Sequence, residues 1–376
     1  MKIKVPSNKD VYVNWFNVAP GVWGMKDIFV NVYMIHNPSD NKWVLVDAGL
    51  KWSALKIRKM AEHLFWPDVR PSSIVLTHGH FDHVGSVAKL AEEWEVPVYA
   101  HRMERPYLNG TSSYPPPDPT VGGGLMASLS FLYPKGPINI EHMMQMLPED
   151  GSVPGLPEWK YIHTPGHTAG HISLFRESDK VLIAGDAFVS TKAESALSVL
   201  TDRKEISGPP KYLTTDWNAA EQSVQQLASL DPDVVATGHG RPMRGEDMRK
   251  SLHNLADNFI EEAKPAHGRY VDEPAVADEN GVSYIPKHTS NTFAYAIAGI
   301  TAVAVISFFL FRKKASSGIN WNQLSKGGVK PSHLRKGVEK FAQQSVDLLG
   351  KEKRGVKKLS KQLANQLSVD KLGNLT

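Results

Sequence analysis

The sequence predicts an α/β fold, and three observations carry that prediction. Short runs rich in β-branched and aromatic residues alternate with amphipathic helical patterns as far as Ala263. Several of those runs end in loops bearing histidine or aspartate, the place where open α/β sheets put their chemistry. The densest such loop, Thr77-His78-Gly79-His80-Phe81-Asp82-His83-Val84-Gly85, directly follows the apolar run Ile74-Val75-Leu76.

Taken in order, Val11–Phe16 and Ile28–Ile35 read as strands, with a turn at Asn37–Asn41. Trp43–Val46 is the next strand and closes on Asp47-Ala48-Gly49. Ser53 is placed to cap a helix through Leu55, Ile57, Met60, Leu64 and Phe65. The strand before the histidine loop follows, then a helix through Val87, Leu90, Ala91 and Trp94, and a returning strand at Val96–Ala100. From Arg102 to Asp150 regularity is lost, and Gly122-Gly123-Gly124 reads as a hinge. Trp159–His163 is a strand leading into Thr164-Pro165-Gly166-His167, with His171 four residues on. Ile172–Phe175 and Val181–Ala184 form a strand pair, the second ending in Gly185-Asp186. A helix over roughly 216–229 precedes the short strand Val234–Ala236, which ends in Thr237-Gly238-His239. A last helix covers about 245–263, and 269–288 reads as a linker.

Composition narrows the chemistry. The chain of 376 residues has no cysteine, so any metal site must be built from histidine and carboxylate. The net charge of +4 is unevenly spread, with 15 Lys and Arg against 4 Asp and Glu between Arg312 and Thr376. The remaining residues hold 28 basic and 35 acidic side chains. An acidic body argues against nucleic acid as a partner.

Three histidines and one aspartate fall within the six residues 78–83. Such crowding is organised by a metal, which binds neutral imidazole and ionised carboxylate. The spacing calls for two ions rather than one, because Asp82 and His83 lie where the chain turns into a helix and face a different point from His78 and His80.

The ordered set His-x-His-x-Asp-His, His167, Asp186, His239 resembles the signature of the metallo-β-lactamase-fold hydrolases, which include glyoxalase II and the N-acyl-homoserine lactonases. The likeness runs from about Val11 to Ala263 and takes in Asp47 at a structural position. It implies an αββα sandwich. It also implies that His78, His80 and His167 hold one ion, that Asp82, His83 and His239 hold a second, and that Asp186 bridges them. Two zinc ions per chain are expected, with iron compatible, since persulfide dioxygenases share the histidine motif. The implied activity is a metal-bridging hydroxide acting on an ester, thioester or lactone, with Asp82 orienting it and transferring a proton. The alternatives are an iron-dependent sulfur dioxygenase and a non-catalytic membrane scaffold. His171 is expected to support the site.

The expected organisation is a catalytic domain over 1–268, with 102–150 inserted over the site and selecting a small, greasy substrate. The stretch 289–311 has no charged residue and is followed by Arg312-Lys313-Lys314. Its 23 residues would cross ~30 Å of hydrocarbon as a transmembrane helix. The tail 312–376 reads as basic amphipathic helix suited to anionic lipid. The expectation is a single-pass membrane protein with its catalytic domain in the cytoplasm.

Overall fold

The computed structural model describes residues 14–65 and 69–287. The expected membrane helix at 289–311 and the basic tail lie outside these residues. Among the described residues no helix is long and apolar enough to cross a membrane.

Two mixed sheets face each other. The first has β1 (Trp15–Ala19), β2 (Val22–Asp27), β3 (Val30–Asn37), β4 (Lys42–Val46), β5 (Ser73–Val75), β6 (Val98–Ala100) and β7 (Met144–Met146), paired in chain order. Its first four strands are antiparallel, and β4 to β7 run parallel. The second pairs β8 (Ser152–Val153), β9 (Leu156–His163), β10 (Ile172–Arg176), β11 (Val181–Ile183), β12 (Val234–Ala236) and β13 (Met243–Arg244), with β11 and β12 parallel. The helices are α1 (Ala54–Phe65), α2 (Phe81–Val84), α3 (Val87–Trp94), α4 (Arg105–Leu108), α5 (Leu125–Ser128), α6 (Ala196–Leu200), α7 (Trp217–Ser229), α8 (Glu246–Asp257) and α9 (Phe259–Glu262).

The alternation of β4 shows how the layers arise. Val44 and Val46 point inward and pack with Trp159, Ile172, Leu174 and Ile183 of the second sheet. Trp43 and Leu45 point outward, against Ile57, Met60 and Phe65 of α1 and Leu90 of α3. Both faces are covered, so the strand is apolar at almost every position. On the far side Leu182 and Val235 meet Trp217, Val224 and Leu227 of α7 and Leu252 and Leu255 of α8. The result is helix, sheet, sheet, helix.

Several local expectations are corrected. The strand expected from Ile28 begins at Val30, because Ile28 adopts a positive φ of 60° in the turn from β2. β2 carries no strand signal in the sequence, since Gly24, Lys26 and Asp27 are poor strand formers. Ser53 does not cap α1. Its Oγ accepts from Leu50 N and donates to Asp27, while Ser86 Oγ accepts from Ala54 N at 3.0 Å. The triple glycine is no free hinge. All three residues have positive φ, and a Cβ at Gly123 or Gly124 would collide with Glu194. Glycine is there for close packing. The irregular stretch from Arg102 holds α4, α5 and β7, so its end belongs to the first sheet. Within the expected linker, Val276–Asp278 (β14) and Gly281–Tyr284 (β15) form a hairpin. Val282 N in that hairpin donates to Ser112 Oγ.

Gly85 seats the histidine loop against the loop after β4. Its N–H donates to Gly49 O at 2.8 Å, and Ala48 N donates to His83 O at 2.6 Å. A Cβ at Gly85 would strike the backbone of Leu50 and Lys51. Gly85→Ala should therefore destabilise the fold by about 1–3 kcal/mol through overpacking. Its φ of −58° is open to alanine, so the clash alone is at issue. An unchanged denaturation midpoint would show that the two loops are not in rigid contact.

Candidate metal centre

Each candidate residue lies at or just after the C-terminal end of a strand. His78 and His80 follow β5, and Asp82 and His83 sit on the single turn of α2. His167 lies between β9 and β10, Asp186 follows β11, and His239 follows β12. All seven are at most 5% exposed.

The structure brings them together. Ligand atoms of His78, His80 and His167 lie within 4.8 Å of one another, and so do those of Asp82, His83 and His239. Asp186 stands between the groups. Its Oδ2 is 3.5 Å from His167 Nε2 and 3.0 Å from His239 Nε2.

The outward-facing ring nitrogens are tied down. His83 Nδ1 is 2.8 Å from Asp47 Oδ2, and Asp47 also accepts from Thr77 N and Thr77 Oγ1. His239 Nδ1 donates to Phe29 O at 2.8 Å. His167 Nδ1 meets Thr214 Oγ1 at 3.2 Å, and His78 Nδ1 meets Thr77 Oγ1 at 3.1 Å. Such contacts set the tautomer and aim the other nitrogen.

What those inner nitrogens face tests the fit to a metal. A carbonyl can only accept, so a neutral His239 carries its proton on Nδ1 and turns the Nε2 lone pair toward the Asp186 carboxylate. Acceptor meets acceptor unless a proton or a metal ion lies between them. His78 Nε2, His83 Nε2, Asp82 Oδ1 and Asp186 Oδ1 are buried with no hydrogen-bond partner. Four orphaned atoms in one place are expensive unless something ligates them. The residues fit a divalent metal centre.

Electrostatics separates the two groups. Burial, then neighbouring histidines, pushes His78 and His167 well below the ordinary imidazole range. Burial and His83 bring His80 down to about 3. These rings stay neutral and ready to ligate. Burial opposes charge on His83 too, but Asp47, Asp186 and Asp82 outweigh it and raise its pKa. His239 is raised for the same kind of reason, chiefly by Asp186 against its burial. Asp186 is held well below the carboxylate range by His239 and His83 despite its burial. A cation near Asp186 suits this end of the site. Asp82 is shifted up, mainly by burial.

His171 sits beneath the site as expected. Its Nε2 accepts from Asp186 N at 2.8 Å, and burial brings its pKa down to about 3. Other contributors left no mark in the sequence. Glu104, in the irregular stretch, is fully buried between the loops of His80 and His167. Tyr114 donates to it, and its ring lies 4.4 Å from that of His80. Phe29, Phe81, Tyr133 and Tyr212 form a run of ring contacts, from Phe29 beside His239 out to Tyr212. Nothing in a lone glutamate or tyrosine announces such a position.

The chain is similar to several known proteins. The family model of the metallo-beta-lactamase superfamily matches residues 25–239. The probable metallo-hydrolase YflN of Bacillus subtilis is 46% identical over 245 residues, covering 65% of this chain and 93% of its own length. A hydroxyacylglutathione hydrolase of Halorhodospira halophila is 32% identical over 210 residues, 55% of this chain and 63% of its own. Among solved structures, the B3 metallo-beta-lactamase BLEG-1 aligns with a TM-score of 0.43 at 25% identity, over 62% of this chain and 93% of its own.

Asp47 offers a test of how the site is held. Asp47→Ala removes the partner of His83 Nδ1 and leaves Thr77 N without its acceptor. Divalent-metal affinity, measured by competition with a chelator, should fall about 10- to 100-fold. Unchanged affinity would mean that His83 is oriented by its packing alone.

Proposed function

The chain belongs to the metallo-β-lactamase superfamily, and from that premise we propose that it is a binuclear metal-dependent hydrolase of an ester, thioester or lactone. The observation that carries this reading is the place of Asp186, whose Oδ2 lies within 3.6 Å of His83 and His167 and at 3.0 Å from His239. A carboxylate so placed can serve two ions at once. Zinc is the proposed metal, because histidine and carboxylate donors without thiolate suit it.

Divalent ions held there would supply Lewis acidity and lower the pKa of water to about 7, so that a nucleophile is available near neutral pH. The protein supplies the rest. His78, His80 and His167 form one binding group, and Asp82, His83 and His239 the other. Asp82 Oδ1 has no protein partner, so it is free to take a proton from the attacking water and deliver it to the leaving group. Asp47, His171, Thr214 and the Phe29 carbonyl hold the ligands in place.

Exposed apolar side chains support a greasy substrate. Ile28, Leu125, Leu132, Leu197 and Leu200 are exposed by 44–75%. Ile28 adjoins Phe29, and Leu197 and Leu200 flank Val199, whose carbonyl accepts from Lys26 Nζ. Leu125 and Leu132 bracket a segment tied to Glu194, through Met126 N donating to Glu194 O.

A second reading rests on His78, His83 and Asp186, which also form a compact group. Two histidines and one carboxylate suit non-haem iron(II), as in an iron-dependent sulfur dioxygenase. The two readings part on metal content. Purified protein should carry close to two zinc ions per chain, and Asp186→Ala should lose at least one. One iron and no zinc would reverse the assignment. Asp82→Asn should lower turnover of a generic ester or lactone by roughly 10²-fold or more, on the scale of general acid–base losses. Turnover at the wild-type rate would remove Asp82 from the proton transfer.

The charge-free stretch 289–311 and the basic residues after it support a single membrane crossing. The proposed arrangement keeps the catalytic domain in the cytoplasm, against the count of flanking Lys and Arg, with residues 312–376 either translocated or folded back along the anionic inner surface. Protease added to intact spheroplasts should leave the catalytic domain whole. Its digestion without lysis would place it outside.

A further inference from the structure

Glu104 lies in the stretch expected only to cover the site, yet it is fully buried and joins the two loops that carry His78, His80 and His167. Its Oε2 accepts from Gly79 N, between His78 and His80, at 2.9 Å, and from Tyr114 Oη. Its Oε1 accepts from Thr168 Oγ1 at 2.7 Å and from Gly170 N at 2.9 Å, just after His167. Four donors converge on one carboxylate, and two of them are backbone amides of different ligand loops. The loops are shaped to admit it. A Cβ at Gly170 would run into Glu104, and one at Gly79 would come within 2.6 Å of Tyr114 Oη.

We propose that Glu104 is a positioning residue that sets the spacing of His78, His80 and His167, and so governs one metal equivalent and not the other. This rests on the binuclear reading above. The selectivity follows from what Glu104 touches. Its hydrogen bonds go to neither Asp82, His83 nor His239, and His83 and His239 are held instead by Asp47 and the Phe29 carbonyl. His80 Nδ1 and His167 Nε2, by contrast, face each other at 3.0 Å across the gap that Glu104 spans from behind. A small separation of these loops would pull the two nitrogens off a shared ion.

Glu104→Gln is the discriminating change, since it keeps volume and removes one acceptor oxygen. Hydroxyls of Tyr114 and Thr168 can turn to accept from the new amide. Gly79 N–H and Gly170 N–H cannot, so one of the two loses its carboxylate acceptor; where that is Gly79 N–H, it keeps only Tyr114 Oη at 2.9 Å. In the full-length protein loaded with zinc, chelator titration should show one equivalent released about 10- to 100-fold more readily and the other unchanged. Amide exchange at Gly79 or Gly170 should quicken while exchange in β4 and β11 does not. In a His80→Ala background the same substitution should have no further effect on the equivalent that remains. If the glutamine variant does not fold, Tyr114→Phe leaves the carboxylate in place and should weaken the same equivalent by less. Both equivalents bound as in wild type, or both weakened alike, would overturn the proposal. A wild-type chain that holds no divalent ion would overturn the binuclear reading, and this one with it.

Discussion

Buried acceptors that face one another impose the constraint on which this molecule is built. His239 Nε2 meets Asp186 Oδ2 at 3.0 Å, and four more acceptor or ring atoms of the cluster have no partner. Without a cation this arrangement repels itself in a medium of low dielectric, where an unpaired polar group is most costly. The rest of the chain resists that repulsion by anchoring five of the seven candidate ligands from behind. Asp47, Thr77, Thr214 and the Phe29 carbonyl take the outer ring nitrogens. His171 takes the Asp186 backbone.

The sandwich makes this anchoring rigid. Strands β4, β5, β11 and β12 are buried on both faces, so the loops at their ends start from fixed points. Loops from the two sheets also lock together across the sandwich. Asn31 and Tyr33 of β3 reach the carbonyls of Thr237 and Gly240 around His239. Thr77 O accepts from Ile172 N. A ligand on one sheet is thus held in register with ligands on the other, as a site shared between two sheets requires.

The stretch from Arg102 to Asp150 has two roles in this scheme. It supplies none of the clustered donors. Its first part reaches beneath the site through Glu104 and Tyr114, and its middle part brings Tyr133 to Phe81. Its last part adds a strand to the first sheet. An irregular segment that is largely buried must satisfy its polar groups individually, and Glu104, with four donors, is an extreme case.

The sequence by itself determined the candidate cluster and the layer pattern. His78, His80, Asp82 and His83 could be read as a cluster because metal chemistry crowds those residue types at the end of an apolar strand, and His167, Asp186 and His239 joined them through the resemblance of the ordered set to the metallo-β-lactamase signature. Residue type and strand end are local properties. β4 and α3 were legible for the same reason, since burial leaves a periodic trace along the chain. The tertiary structure alone decided what stands behind the ligands. Glu104, Thr214, Tyr114 and the Phe29 carbonyl carry no pattern, because each acts through contacts with residues of other elements. Gly123 and Gly124 looked like a hinge from composition, and only the nearness of Glu194 shows why no side chain fits there. Ser53 was misread as a cap because Asp27, its partner, is brought to it by the hairpin between β2 and β3. Periodicity records which face of an element is buried, but not which distant group meets it there.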